Sequence, residues 1–202
     1  MGTAARSERR LARWTLTERA VHWVHATAFC ILLTSGLCLY LPSLAELVSR
    51  RPLLKHIHLY TALAWAIALL AIAVAGDRRA LRRTAHEVDL LGVEGRLNRG
   101  QKLNTIVTAA FAILFAVTGF DLWYGERDTR FRFTNALLIH DWLMYASFVV
   151  FVGHVYFAVF LPSTRHSLSG MTRGWVREDW AAEHHPAWVD ELRATEESNP
   201  GS

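Results

Sequence analysis

Four histidines lie well inside long apolar segments, where a ligating side chain is uncommon. His140 and His154 are fourteen residues apart in the last such segment, so a continuous helix would return both to nearly one face, about 20 Å apart along its axis. His22 and His58 lie in two earlier apolar segments. Ionisable groups in a membrane segment are costly unless they face a partner within the protein, and neutral imidazole binds metals and haem iron well. These histidines are therefore the candidate ligands.

Four apolar runs are long enough to cross the roughly 30 Å hydrocarbon core of a bilayer as helices. They cover residues 21–41, 57–75, 103–123 and 136–161 of a 202-residue chain that is 52% hydrophobic. This composition argues against an ordinary soluble protein and predicts an all-α fold, an integral membrane four-helix bundle. The predicted parts are an N-terminal arm over residues 1–15, the transmembrane domain over 16–162 and a tail over 163–202.

The basic residues predict the orientation of the spans. The residues before the first apolar run, the loop between the second and third spans and the tail hold 16 of the 22 lysines and arginines, and the two opposite loops hold the other six. Because cytoplasmic flanks carry the excess, both termini are predicted to be cytoplasmic, in a bacterial inner membrane. No basic stripe with interleaved aromatic residues lies outside these flanks, so nucleic-acid binding is not expected.

The start of the first helix and the end of the fourth set the depth of two histidines. Thr15 and Glu18 have the spacing of a capping box, which predicts a helix start near Leu16. His22 would then lie about 10 Å below the cytoplasmic end. His154 reaches a matching depth, since a proline closes the fourth helix eight residues later. His25, one turn below His22, is the rival ligand at this level.

The other two histidines match in depth near the outer face. Pro52 suits the first turn of the second helix, six residues before His58. Thr134 or Asn135 is suited to cap the fourth helix, five or six residues before His140. The depths therefore pair His58 with His140, and His22 with His154.

Paired histidines at two levels favour two haem b groups, each held by histidines from opposite helices without a cysteine attachment motif. The two cysteines, Cys30 and Cys38, are too far apart on one helix to bridge each other and too few to hold an iron–sulfur cluster. A rival class is an intramembrane metal-ion transporter, although zinc and copper sites prefer clustered ligands. A third class is a structural membrane anchor without a ligand, which would not explain why four histidines lie inside the spans.

Composition alone predicts the character of the polar segments. Residues 97–102, LNRGQK, precede the third span and are typical of a plain interfacial boundary. Trp175, Trp180 and Trp188 in the tail suit a membrane surface. The last ten residues, rich in Glu and Ser, are predicted to be disordered.

Several short motifs resemble the gamma subunit of membrane-bound formate dehydrogenases, a dihaem b-type cytochrome. They span most of the chain: ERAVHW at 18–23, SG at 35–36, IH at 57–58, NRGQK at 98–102, TG at 118–119, His140, HVY at 154–156, SGM at 169–171 and WAAEHHPAW at 180–188. The tail motif and NRGQK are fairly specific, whereas single histidines are not.

The resemblance implies a role for each site residue. It implies that His22 and His154 bind the iron of a cytoplasmic-side haem, and that His58 and His140 bind the iron of an outer-side haem. It also implies a quinone site near His154, formed by Asn98, Gly100, Gln101 and Lys102. Under this resemblance, His184 and His185 are interpreted as docking or structural residues.

The resemblance also implies partners. An iron–sulfur beta subunit would deliver electrons, a catalytic alpha subunit would oxidise formate, and membrane menaquinone or ubiquinone would accept the electrons. This chain would contact lipid and would be the electron-transfer and quinone-reducing subunit, with no formate-oxidising site and no catalytic residue of its own. The cytochrome subunit of a hydrogenase or a thiosulfate reductase is a related alternative that shares the ligand pattern.

Overall fold

Helices make up most of the described chain, which in this computed structural model comprises residues 9–48, 50–131 and 133–198. Residues 1–8 and 199–202, parts of the predicted arm and tail, lie outside the described residues. The helices are α1 (Leu16–Tyr40), α2 (Pro42–Val48), α3 (Arg51–Ala75), α4 (Arg78–Glu87), α5 (Arg99–Gly125), α6 (Ala136–Val155), α7 (Ser167–Arg173), α8 (Glu178–His184) and α9 (Pro186–Ser198). A 3₁₀ turn (Thr129–Phe131), a π-helical segment (Tyr156–Phe160) and the strands β1 (Arg10–Ala12) and β2 (Trp175–Arg177) complete the described elements.

Four helices are long and apolar enough to cross a membrane: α1, α3, α5, and α6 continued through the π-helical segment to Phe160. The prediction of four spans is confirmed, although three of them begin four to six residues earlier than the apolar runs because polar residues form their first turns. Large apolar side chains on these helices are exposed, among them Ile67 at 67% and Leu70 at 65%. Helix α3 has no buried residue. Such a surface suits lipid, not water.

The start signals for α1 and α3 are confirmed. Thr15 N donates to Glu18 Oε2 at 2.7 Å and Glu18 N donates to Thr15 Oγ1 at 3.3 Å, which is the reciprocal capping box. Pro52 lies in the first turn of α3, where its missing N–H is not needed.

The chain divides into two compact units. Of the described residues, one unit comprises those within 9–19, 79–110 and 150–198, and the other comprises those within 20–78 and 111–149. The first unit has an apolar core formed by Leu11, Val176, Trp180, Ala181, Trp188 and Val189. In the same unit β1 pairs antiparallel with β2, with Leu11 opposite Val176.

The predicted all-α fold is confirmed in that the described chain is mostly helical, although β1 and β2 add a small sheet. Two predictions about the tail are wrong. Residues 193–198 are helical and not disordered, since α9 extends to Ser198. Trp180 and Trp188 are each only 7% exposed and pack in the core, not on a membrane surface. Neighbouring residues could not predict the structure of the tail, because this core joins a residue before the four spans with residues after them.

A left-handed turn at Gly174 connects the N-terminal strand to α7. Gly174 has φ 89°, which favours glycine, and its carbonyl accepts hydrogen bonds from the backbone N–H of Arg13 and of Trp14. A side chain at Gly170 would meet the Trp14 ring at 3.1 Å. The glycine of the SGM motif therefore allows the Trp14 ring to pack closely against α7.

A buried ionic network lies beside this turn, in the same unit. Arg96 is 5% exposed and binds the carboxylates of Glu18, at 2.8 Å, and of Glu87, at 2.7 Å. It also donates to Thr84 Oγ1 at 2.9 Å and to the carbonyl oxygen of Arg13 at 2.7 Å. The charge of Arg96 is thus compensated by two carboxylates.

His185 joins the network through Arg13. Arg13 Nη2 lies 3.0 Å from His185 Nε2, and His185 Nδ1 lies 3.3 Å from the carbonyl oxygen of Gly95. Because guanidinium only donates, His185 is neutral, accepts at Nε2 and carries its proton on Nδ1. Burial, with the charge of Arg13, lowers the pKa of His185 to about 4.

The low pKa of His185 makes the stability of the first unit pH-dependent. The unfolded chain takes up a proton near the ordinary histidine pKa of about 6.5, whereas the folded chain does so only near 4, so stability falls as pH decreases from about 6.5 to 4, by up to about 3 kcal/mol. The His185→Gln variant keeps an acceptor for Arg13 and should lose this part of the pH dependence. Thermal unfolding in detergent between pH 4.5 and 7.5 measures it by tryptophan fluorescence.

The matched control is His86→Gln on the exposed side of α4, which should keep the wild-type pH dependence. Equal pH slopes in wild type and His185→Gln would contradict the prediction.

Candidate functional site

His58 of α3 and His140 of α6 come together in the second unit. Their ring centroids are 6.3 Å apart. Two bonds of about 2 Å from nitrogen to a shared metal, plus about 1 Å from each nitrogen to its ring centre, would total about 6 Å. The separation therefore suits two imidazoles on opposite sides of one metal ion.

A serine on α1 fixes the tautomer of His58. Ser35 is 4% exposed, and its Oγ lies 2.7 Å from the carbonyl oxygen of Ile31 and 2.9 Å from His58 Nδ1. When the hydroxyl donates its single proton to the carbonyl of Ile31, its oxygen accepts the Nδ1–H of His58. In this arrangement His58 has an unprotonated Nε2, the form that binds a metal.

A threonine on α5 does the same for His140. Thr118 Oγ1 lies 2.8 Å from the carbonyl oxygen of Leu114 and 2.8 Å from His140 Nδ1. By the same count of protons, Thr118 accepts from Nδ1–H and leaves Nε2 of His140 as the metal-binding atom. Hydrogen bonds of this kind are the usual outer support of histidine ligands.

Glycines follow both hydroxyl residues and leave space beside the rings. A side chain at Gly36 would first meet His58 Cε1 at 3.5 Å, and one at Gly119 would meet His140 Cε1 at 3.6 Å. Within the described ranges, no group of three or more His, Cys, Asp or Glu side chains could hold a metal ion. Two neutral imidazoles with open flanks fit the axial ligands of a haem, whereas zinc sites take three or four protein ligands.

His22 and His154 belong to different units, and their pairing stays a prediction. His22 lies on α1 with its ring edge-on to that of Trp23, 5.2 Å between centroids. His154 is near the end of α6. The rival, His25, packs against aromatic rings in the second unit, with centroids 6.4 Å from Phe29 and 5.8 Å from Trp65.

The helix changes its hydrogen-bond pattern directly after His154. Residues Tyr156–Phe160 are π-helical, and Leu161 N donates to the carbonyl oxygen of Tyr156 at 3.0 Å, five residues back. Such segments are rare and are frequent at functional sites. Pro162, which has no N–H, follows the segment and prevents a regular continuation.

Asn98 and Gln101 cap the start of α5. Gln101 N donates to Asn98 Oδ1 at 2.9 Å, and Asn98 N donates to Gln101 Oε1 at 3.3 Å. This is a capping box with Asn in the first position and Gln in the fourth. Both carbonyl oxygens accept backbone N–H groups, so each amide NH₂ is the group directed elsewhere.

Lys102 and Gly100 differ in their surroundings. Lys102 is 2% exposed, and its ammonium donates to the carbonyl oxygens of Asp89, Gly92 and Val93, at 2.7 to 3.4 Å. The ammonium has three hydrogens, and all three are thereby used on the loop before α5. Gly100 is exposed, and a side chain there would meet only Asn98 Oδ1, at 3.5 Å.

The sequence indicated Ser35 and Thr118 only through the resemblance. A signal was available, because each is followed by glycine and lies 23 and 22 residues before its histidine. Arg13 was counted only as a positive charge, although it contacts Gln101 Oε1 at 3.2 Å. No local pattern indicates that contact.

Comparison with known proteins places these features in a family. The chain is homologous to a formate dehydrogenase cytochrome b556 (fdo) subunit of Escherichia coli K12, with 27% identity over 93% of this chain and 95% of the relative. The nitrate-inducible formate dehydrogenase cytochrome b556 (Fdn) subunit of the same strain shares 27% identity over 92% and 93% of the two chains. A formate dehydrogenase cytochrome b556 subunit of Haemophilus influenzae shares 24% over 92% and 84%.

The family itself is shown by a match that covers most of the chain, from the buried Arg13 through all four spans to the Gly174 turn. The family model described as prokaryotic cytochrome b561 matches residues 13–174. This multi-pass membrane protein belongs to the prokaryotic cytochrome b561 family.

Proposed function

We propose that this chain is the dihaem b-type cytochrome subunit of a membrane-bound formate dehydrogenase, and that it carries electrons from an iron–sulfur partner subunit to membrane quinone. Membership of a cytochrome b family implies haem b, and the names of its relatives favour the formate dehydrogenase complex. The observation that carries the proposal is the His58–His140 pair, 6.3 Å between ring centroids with both Nδ1–H groups bound to hydroxyls.

His58 and His140 would hold the iron of the outer-side haem through Nε2. A bound haem b would supply one-electron exchange between ferric and ferrous iron. Two protein ligands on one iron would leave no place for a substrate or for oxygen. The residues thus favour electron transfer over reaction at the metal.

His22 and His154 would hold the cytoplasmic-side haem. The proposal is supported by their matching depth in the two spans and by the π-helical segment that follows His154. His25, which packs against Phe29 and Trp65, is not one of the proposed ligands.

The amide NH₂ groups of Asn98 and Gln101 would donate to a quinone carbonyl, which only accepts hydrogen bonds. Reduction of quinone to quinol takes up two electrons, one from each of two haem oxidations, and two protons from the adjacent water. Gly100 leaves room beside these amides, whereas Lys102 holds the preceding loop through its three carbonyl contacts.

The direction of electron flow is a further part of the proposal. With both termini cytoplasmic, as the basic residues favour, His58 and His140 would lie near the outer face, and there the iron–sulfur subunit would deliver electrons. The catalytic subunit would oxidise formate to carbon dioxide, releasing two electrons and one proton. A metal-ion transporter is disfavoured by the lack of a clustered ligand set within the described residues.

Replacing one ligand should remove one haem. In purified protein, His58→Ala and His140→Ala should each halve the haem per chain and the reduced-minus-oxidised absorbance of haem b, since a single axial ligand holds the group poorly. The same absorbance should halve in His22→Ala. Haem content is measured against protein by pyridine haemochrome assay.

His56→Ala is the matched control, because His56 is on the same helix and stacks on Tyr60. It should keep full haem content. Absence of any haem b band in the wild type would refute the proposal, and zinc or copper retained in its place would favour the transporter.

Removing the hydroxyls should weaken the outer site without abolishing it. Ser35→Ala and Thr118→Val each remove the acceptor of an Nδ1–H, and loss of such outer support typically lowers metal affinity 10- to 100-fold. The affinity for haem should therefore fall by about this factor. It is measured by haem retention during dilution and by competition with apo-myoglobin. Thr34→Val, at an exposed hydroxyl of the same helix, is the control, and wild-type retention in both test variants would contradict the tautomer argument.

Copurification decides which complex the chain serves. A tagged chain isolated from its native host in mild detergent should bring an iron–sulfur subunit and a formate-oxidising subunit, with formate reducing the haem in the isolated complex. Reduction of the haem by hydrogen but not by formate would favour the hydrogenase alternative. Reduction by neither donor, together with a copurified thiosulfate reductase, would favour the thiosulfate reductase alternative.

A further inference from the structure

Arg13 is a buried cation with more hydrogen-bonding capacity than its surroundings use. It is 2% exposed, and its Nε and Nη1 atoms have no partner among the described residues. Arg96, its neighbour in the first unit, has two carboxylates, whereas no carboxylate forms an ion pair with Arg13 within the described residues. Leaving a buried charge without a counter-ion is costly, so its contacts require an explanation.

All hydrogen bonds of the Arg13 guanidinium come from Nη2. This nitrogen lies 2.9 Å from the carbonyl oxygen of Arg96, 3.0 Å from His185 Nε2 and 3.2 Å from Gln101 Oε1. Its two hydrogens serve three acceptors, so at least one bond is shared. Trp14 and Trp180 pack near the guanidinium, with ring centroids at 5.5 and 5.4 Å. Arg13 is thus held from the tail and directed at the Gln101 amide.

These contacts determine which end of the Gln101 amide is available. The groups next to Oε1 are Arg13 Nη2 and Asn98 N, and both can only donate. The atom between them is therefore the carbonyl oxygen, and the NH₂ group of Gln101 is turned away from the network. A fixed NH₂ suits a ligand that accepts hydrogen bonds.

We infer that Arg13, held by His185, is a positioning residue that fixes the Gln101 amide for donation to the quinone carbonyl. The inference rests on the proposed quinone-reducing function and adds two residues to it. The nearby positive charge also strengthens the Gln101 donor, because polarisation of the amide by Arg13 draws electron density toward Oε1. The tail motif thereby acts on the quinone site through Arg13, without touching the quinone.

The test uses the purified full-length cytochrome with its haem reduced by dithionite and the excess removed. Decylubiquinone or menadione is mixed in, and haem oxidation is followed over a range of quinone concentrations. Arg13→Lys and His185→Phe should each raise the quinone concentration for half-maximal rate about tenfold. Oxidation by ferricyanide, which needs no quinone site, should keep its wild-type rate, and the haem spectrum should be unchanged.

A double-mutant cycle separates positioning from a general structural effect. If Arg13 acts through Gln101, then Gln101→Ala alone and Arg13→Lys with Gln101→Ala should give the same half-maximal concentration. His185→Gln, which keeps an acceptor for Arg13, should restore most of the wild-type value lost in His185→Phe. Arg10→Lys, at an exposed arginine that lies over Trp175, is the matched control and should behave as wild type.

Three results would overturn the inference: wild-type quinone kinetics in Arg13→Lys and His185→Phe, effects that multiply in the double variant, or slowed ferricyanide oxidation together with lost haem. Failure of the proposed function has a different signature. In that case the wild-type haem would be oxidised by ferricyanide but by neither quinone, and both proposals would fall.

Discussion

Two hydroxyl groups hold the Nδ1 atoms of His58 and His140 and leave the Nε2 atoms toward a ligand. In a helix, the hydroxyls of Ser35 and Thr118 can donate their only proton to a carbonyl four residues back, and each then accepts the Nδ1–H of its neighbouring imidazole. Each bond also joins two successive long helices of the four that could cross a membrane, α1 to α3 and α5 to α6. The same hydroxyl–imidazole hydrogen bond therefore occurs twice in one unit, and the two histidine rings that it holds lie next to each other.

The spans and their start signals were predictable because they depend on local properties. Hydrophobic length gave the four helices, and the Thr15 and Pro52 signals gave two of their starts. The closeness of His58 and His140 followed from counting residues to matching depths. What binds there did not follow from geometry alone, since paired histidines have several chemical uses.

The tail was mispredicted because its stability depends on distant residues. Val176 is fully buried only because Leu11 and the tail helices cover it. Trp180 and Trp188 have the amphipathic character of interfacial residues, but pairing across more than 160 residues decides where they go. Arg13 is a similar case: nothing near it in the sequence indicates that Gln101 and His185 are its neighbours.

The capping box at α5 shows how one pair of residues can have two roles. Helix starts need acceptors for their first N–H groups, and the carbonyl oxygens of Asn98 and Gln101 supply them. The two NH₂ groups are then held rigidly, because both amides are fixed by the backbone. The need to cap α5 thus also orients the two amide NH₂ groups, with no further loss of side-chain entropy. Because Asn and Gln are ordinary capping residues, composition alone made residues 97–102 resemble a plain interfacial boundary.

The burial of Arg13 has a consequence for how the protein is made. Arg13 leaves the ribosome before any span, whereas His185, Trp180 and Val176 follow the fourth span. Until the tail has been synthesised, its guanidinium lacks these contacts and stays hydrated. Only then can the same charge lose its water and become an interior contact. The burial of Arg13 is therefore a late event in the synthesis of this protein, with its timing set by the direction of translation.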